Sequence, residues 1–122
     1  MISNFTSKLT QELTLYVDGL QEEFPKQSYS LELNGSSNIW EIKWKSSKHY
    51  KESFEIEIWS ENNQYTLRGE HIIDELLSQV TETYFLYEEI SIAELLLKFD
   101  EIFKKMESTI KKISHIDKAK FL

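Results

Sequence analysis

The sequence predicts an α+β domain over residues 1–122: a four-stranded antiparallel β-meander with one N-terminal and two C-terminal helices packed on one face (α-β-β-β-β-α-α). Three observations carry this. Trp40, Ile42 and Trp44, and again Phe54, Ile56 and Ile58, alternate with polar residues, which is the period of a strand with one dry face. Residues 5–20 and 92–113 hold apolar side chains at three- and four-residue steps, the period of a helix. Short polar segments such as Asn34-Gly35-Ser36-Ser37-Asn38 and Ser60-Glu61-Asn62-Asn63 separate the alternating runs, as tight turns of a meander do.

The first helix is expected over 5–23, from Phe5, Leu9, Leu13, Tyr16, Val17 and Leu20, with Asn4 as its cap. Pro25 forbids its continuation, and Gly19 allows an earlier end. Tyr29, Leu31 and Leu33 mark the first strand. The second and third are 39–45 and 53–59, and Tyr65–Arg68 is the fourth. Symmetrical closure of the 46–52 loop sets Trp44 opposite Phe54, Ile42 opposite Ile56 and Trp40 opposite Ile58. The same register sets Lys43 opposite Glu55, and Ile39 opposite Trp59, on the outer face.

Ile73, Leu76, Leu77, Val80, Tyr84 and Tyr87 suggest a helix over roughly 70–87. The last helix has a clear start: Ser91 and Glu94 form a capping box, and Ile90 and Leu95 a hydrophobic staple. Its stripe, from Ile92 to Ile113, is longer than a sheet of short strands can cover. Phe103, Met106, Ile110 and Ile113 are therefore expected to need the first helix or a second copy, making a homodimer interface a candidate use for them. Residues 117–122 are expected to fray.

Composition narrows the functions. With 40% hydrophobic and 13% aromatic residues, the chain has the makings of a packed core. It has no Cys, which excludes disulfides, thiolate metal sites and Cys nucleophiles. No leader sequence or membrane span is visible, so a cytoplasmic location is expected. The formal net charge is −7, distributed as +3 over residues 98–122 and −10 over the rest. No Lys or Arg occurs from Gly69 to Leu97, a stretch with seven acids: Glu70, Asp74, Glu75, Glu82, Glu88, Glu89 and Glu94. Such a field repels nucleic acid and anionic lipid and steers basic partners.

The residues that could carry chemistry are few. Three Gly allow no phosphate-cradling loop, and no nucleophile elbow is present. On a helix His71, Asp74 and Glu75 share one face, the spacing of a small metal site. Acids opposing the helix dipole explain the same residues without a metal. Glu41, Glu55 and Glu57 share a sheet face with Lys43 and Lys45, and cross-strand ion pairing accounts for them better than acid–base catalysis does. Lys104, Lys105, Lys111, Lys112, Lys118 and Lys120 give the last helix a basic side, as a solvated core helix also has.

No cofactor, metal or catalytic activity is expected. The partner-binding candidates are Ile39 and Trp59, an apolar pair rimmed by acids, with Glu82, Glu88 and Glu89 of the acidic stretch. No motif here matches a specific family. In size and charge the chain resembles immunity proteins and antitoxins, whose acidic side chains occupy an anion-binding site of a nuclease-like toxin. That resemblance implies a small binding protein that neutralises or escorts a basic protein. The helix–sheet plan and acidity also look broadly similar to dimeric secretion-type chaperones, the alternative reading. A small metal-dependent enzyme using His71, Asp74 and Glu75 is a third.

Overall fold

A computed structural model describes residues 2–34, 38–45, 51–74 and 79–120. Helix α1 (Ile2–Glu23) is followed by a 3-10 turn at Pro25–Gln27 and five strands: β1 (Ser30–Asn34), β2 (Ile39–Lys45), β3 (Lys51–Glu61), β4 (Gln64–Asp74) and β5 (Gln79–Ile90). Helices α2 (Ile92–Leu97) and α3 (Phe99–Lys120) complete the chain. The strands form one antiparallel sheet in the order β1-β2-β3-β4-β5. The α+β class and the antiparallel meander are as the sequence implies. The strand count and the first C-terminal helix are not.

The segment expected to be a helix over 70–87 is strand in its described parts. Its first residues extend β4, and 79–87 belong to β5, while 75–78 lie outside the described residues. Val80, Thr81, Thr83, Tyr84, Phe85 and Tyr87 are β-branched or aromatic, the types that suit a pleated surface. Two register shifts against β4, between Gly69 and Glu70 and between Tyr65 and Leu67, break the two-residue alternation. The interrupted period mimicked a helical one.

The β2–β3 register also differs from the symmetrical closure. Trp44 faces Glu52, Ile42 faces Phe54 and Trp40 faces Ile56, a slip of two residues. A two-residue slip leaves every side chain on its original face, so the apolar pattern alone cannot distinguish the two registers. The inner face is therefore as expected: Trp40, Ile42, Trp44, Phe54, Ile56 and Ile58 are all buried. The outer pairs change. Lys43 faces Ser53, Glu41 faces Glu55 and Ile39 faces Glu57, so neither the Lys43–Glu55 nor the Ile39–Trp59 pair forms.

One core joins the helices to the inner face. Phe5, Leu9, Leu13, Val17 and Leu20 line α1, and Phe99, Ile102, Phe103, Met106, Ile110 and Ile113 line α3. Phe5 meets Phe99 edge-on at 5.6 Å between ring centroids, and Tyr16 meets Phe103 at 6.3 Å. The Tyr16 hydroxyl donates to the Glu107 carbonyl at 3.1 Å, and the Trp40 indole N–H donates to Thr10 Oγ1 at 2.8 Å. These bonds satisfy the polar ends of two aromatic groups and fix α1 to α3 and to β2.

The candidate dimer stripe is part of this core: Phe103 is 9% exposed, Met106 and Ile110 0%, and Ile113 4%. Side chains so covered by their own chain have no surface left for a second copy. The expectation of an uncovered stripe assumed short strands. β3, β4 and β5 are 11, 11 and 12 residues long, or roughly 35–40 Å at the usual rise. α1 also covers part of the stripe: Tyr16 meets Phe103 and donates to the Glu107 carbonyl of α3.

Local signals place the ends. α1 runs through Gly19 and stops before Pro25. The Ser91 side chain accepts from the Glu94 backbone N–H at 3.2 Å, as a capping residue should. The long C-terminal helix expected from 92 is two helices, with Lys98 as the C-cap of α2. α3 continues to Lys120, and residues 121–122 lie outside the described residues.

Candidate functional site: the outer face of the sheet

Among the described residues, the buried apolar side chains of α1, α2 and α3 belong to the core on the inner face. The outer face is built from the alternate residues of the same strands. Its register brings Glu32 of β1 opposite Glu41 of β2, Glu41 opposite Glu55 of β3, and Glu55 opposite Glu70 of β4. Four glutamates thus lie in one row across four strands, over about 14 Å at the usual strand spacing. The sequence places Glu41 and Glu55 on one sheet face, but their alignment depends on the two-residue choice of register.

Among the described side chains, two cations partly balance the row. Lys43 Nζ lies 3.0 Å from Glu32 and 3.5 Å from Glu41. Its hydrogen bond to Glu32, and then the charge of Glu41, hold its ammonium above the ordinary range. Arg68 reaches Glu57 and Glu70, both at 2.9 Å. Glu55, in the middle, has no cation within ion-pair distance among the described residues. Partial burial, and then the charges of Glu41, Glu57 and Glu70, hold its carboxyl above the ordinary value, while Arg68 opposes the shift.

The sign of that shift yields an expected result. A carboxyl raised in the fold contributes stability below its unfolded value, and the contribution is lost as pH rises through the folded value. The ordinary value is 4.5. Glu55→Gln should therefore gain in Tm over the wild type as pH rises above that value, with the gain disappearing below it. A Tm difference that stays constant from about pH 3 to about pH 7 would show that Glu55 is not strained by its neighbours.

Two recesses on this face are lined by strand residues. One, of about 300 Å³, is formed by Glu32, Leu33, Ile39, Glu41 and Glu55. The other, of about 460 Å³, is formed by Trp59, Glu61, Thr66, Arg68, Thr83, Glu88 and Glu89. The Arg68 guanidinium sits over the Trp59 ring at 5.2 Å. Among the partner-binding candidates, then, Trp59, Glu88 and Glu89 come together, whereas Ile39 lies in the other recess. Glu82 is separate from both: it faces His71 and accepts a hydrogen bond from the Tyr84 hydroxyl at 2.7 Å.

The proposed helical face of His71, Asp74 and Glu75 does not exist, because His71 and Asp74 lie on β4 and Glu75 is outside the described residues. His71 is buried. Its Nε2 lies 3.5 Å from Glu52 Oε2, and its ring stacks on Trp44 at 6.0 Å. Among the described residues no group of three or more His, Cys, Asp and Glu is placed to hold a metal ion. Among them, too, no helix is long and apolar enough to cross a membrane. Lys104, Lys105, Lys111 and Lys112 are exposed on α3, while the side chains of Lys118 and Lys120 lie outside the described residues.

A third recess, of about 400 Å³, lies between α1 and the β1–β2 edge. Thr6, Ser7 and Thr10 line it opposite Leu33, Asn38 and Ile39.

No family model matches the chain, and neither a curated protein nor a solved structure matches it.

Proposed function

We propose that the protein works by binding, and that the outer face of its sheet docks a basic protein partner. The most concrete form is an immunity- or antitoxin-type inhibitor, which lays carboxylates over an anion-binding site. The row Glu32-Glu41-Glu55-Glu70 carries this reading. Like charges directly opposite each other on neighbouring strands are destabilising. Lys43 and Arg68 offset part of this at Glu32, Glu41 and Glu70, and Glu55 is left with its carboxyl raised. A partner bringing Lys or Arg to the row would relieve that repulsion, and the same field would speed its approach.

The chaperone alternative is less well supported. It draws its two-fold contact from the α3 stripe, which this chain buries against itself.

The test is kinetic. The partner is captured from the native host by cross-linking, identified and purified, and its association is followed at increasing salt. The on-rate should fall steeply with salt, and Glu41→Gln, Glu55→Gln, Glu70→Gln should slow association by about tenfold or more, with little effect on dissociation. Unchanged association in this triple variant would reduce the row to a solubilising surface.

A further inference from the structure

We infer that the recess beside Trp59 seats an arginine side chain of the basic partner, an inference that rests on the outer-face interface proposed above. The recess is concave, with one aromatic wall and a carboxylate rim. At about 460 Å³ it falls within the range of ordinary ligand pockets. Its floor comes from β3 and β4 through Trp59, Thr66 and Arg68, and its rim from Glu61, Glu88 and Glu89.

The register slip between Tyr65 and Leu67 forms the rim. Tyr65 pairs with Ile90 and Leu67 with Tyr87, so Glu88 and Glu89 stand against the single residue Thr66. Glu89 adopts φ 52°, on the left-handed side. An extra residue at such a place re-aims the side chains around it.

Charge decides what the recess accepts. Among the described residues Arg68 is the one cation in its lining, and its guanidinium is already shared by Glu57 and Glu70. Glu61, Glu88 and Glu89 have no cation within ion-pair distance among the described residues. The site is therefore complementary to added positive charge.

Shape narrows the choice further. The carboxylates do not converge as metal ligands do, so a compact ion gains little from them. An extended, planar cation can meet an indole and several carboxylates at once. A guanidinium does both, stacking on aromatic faces and forking to carboxylates, whereas an ammonium is a point charge. Arg68 already covers one face of this indole, so an added guanidinium meets the ring's other face or its edge, beside the carboxylates of Glu61, Glu88 and Glu89.

The probe is N-acetyl-arginine methylamide, titrated against the ¹⁵N-labelled full chain. The readout is the indole N–H resonance of Trp59, assigned with Trp59→Phe. Trp40 and Trp44 are buried in the core and serve as internal controls for the fold. The Trp59 resonance should shift saturably, while those of Trp40 and Trp44 stay in place. Glu88→Gln, Glu89→Gln should weaken binding by about tenfold or more, as expected for lost charge-assisted hydrogen bonds. The lysine analogue and calcium chloride should produce weaker shifts. An equal response to the lysine analogue or to calcium would overturn the assignment to arginine, and an unshifted Trp59 would overturn the site.

A decalysine peptide and the variant Glu41→Gln, Glu55→Gln separate this inference from the reading beneath it. If the peptide binds, is lost in that variant, and the arginine probe leaves Trp59 unshifted, the outer face stands and the arginine seat is wrong. If the probe shifts Trp59 but peptide binding ignores the variant, the outer-face reading fails and the inference that rests on it falls too.

Discussion

Trp44→Ala is expected to lower stability by about 3–5 kcal/mol, the usual loss when a large aromatic is removed from a packed core. Trp44 is 3% exposed. Its ring lies 6.1 Å from Tyr29 and stacks on His71, and its backbone position faces Glu52. The indole Nε1 has no hydrogen-bond partner among the described residues. The loss therefore reflects volume and contact, with little from a broken hydrogen bond. Trp44→Phe, which keeps a ring in the site, should cost less. Urea unfolding checks this through a lowered midpoint at an unchanged slope. A loss under about 0.5 kcal/mol, the range of surface changes, would mean that Trp44 is not in the core. Because natural domains are stable by only about 5–15 kcal/mol, the full loss would leave a marginal protein.

The second large effect is expected at the buried pair of Glu52 and His71. They are 2% and 4% exposed on neighbouring strands, beneath Trp44. His71→Leu leaves the Glu52 carboxyl buried beside an apolar side chain. Leaving a buried polar group without one of its neighbours typically costs about 1–3 kcal/mol, whereas replacing both with apolar residues of similar shape is often close to neutral. Glu52→Leu, His71→Leu should therefore recover most of the loss, and a double-mutant cycle measures the coupling. If the two single losses simply add, the residues are held by other contacts and the pair is not a unit.

This pair illustrates the limit of reading His71 from the sequence. Its spacing to Asp74 and Glu75 has meaning only on a helix. Once β4 runs to Asp74, His71 comes beside Glu52, 19 positions away in the chain and reached only through sheet pairing. The same holds at the recess. Trp59 and the two glutamates 88 and 89 were each conspicuous in the sequence, as an exposed aromatic and as part of an acidic run. Their meeting depends on β5 being a strand and on the bulge opposite Thr66. Symmetrical closure of the loop would set Ile39 opposite Trp59, whereas the β2–β3 register sets it opposite Glu57.

What the sequence determined by itself is the set of local periods. Alternation fixed which side chains of β2 and β3 face inward, because a strand side chain cannot change face without a one-residue slip. The three- and four-residue steps fixed α1 and the apolar face of α3, and Ser91 with Glu94 fixed where α2 begins. Tertiary structure decided the rest. It set which of two equally apolar registers joins β2 to β3, and it made a strand of 79–90, where bulges hid the period. It also covered the α3 stripe with α1 and a sheet of long strands. The reason is common to all three. Local periods record which face of a segment is dry, whereas partners, registers and coverage depend on contacts between residues far apart in the chain. The row of four glutamates is of that second kind: each acid is visible in the sequence, and only strand pairing sets them side by side.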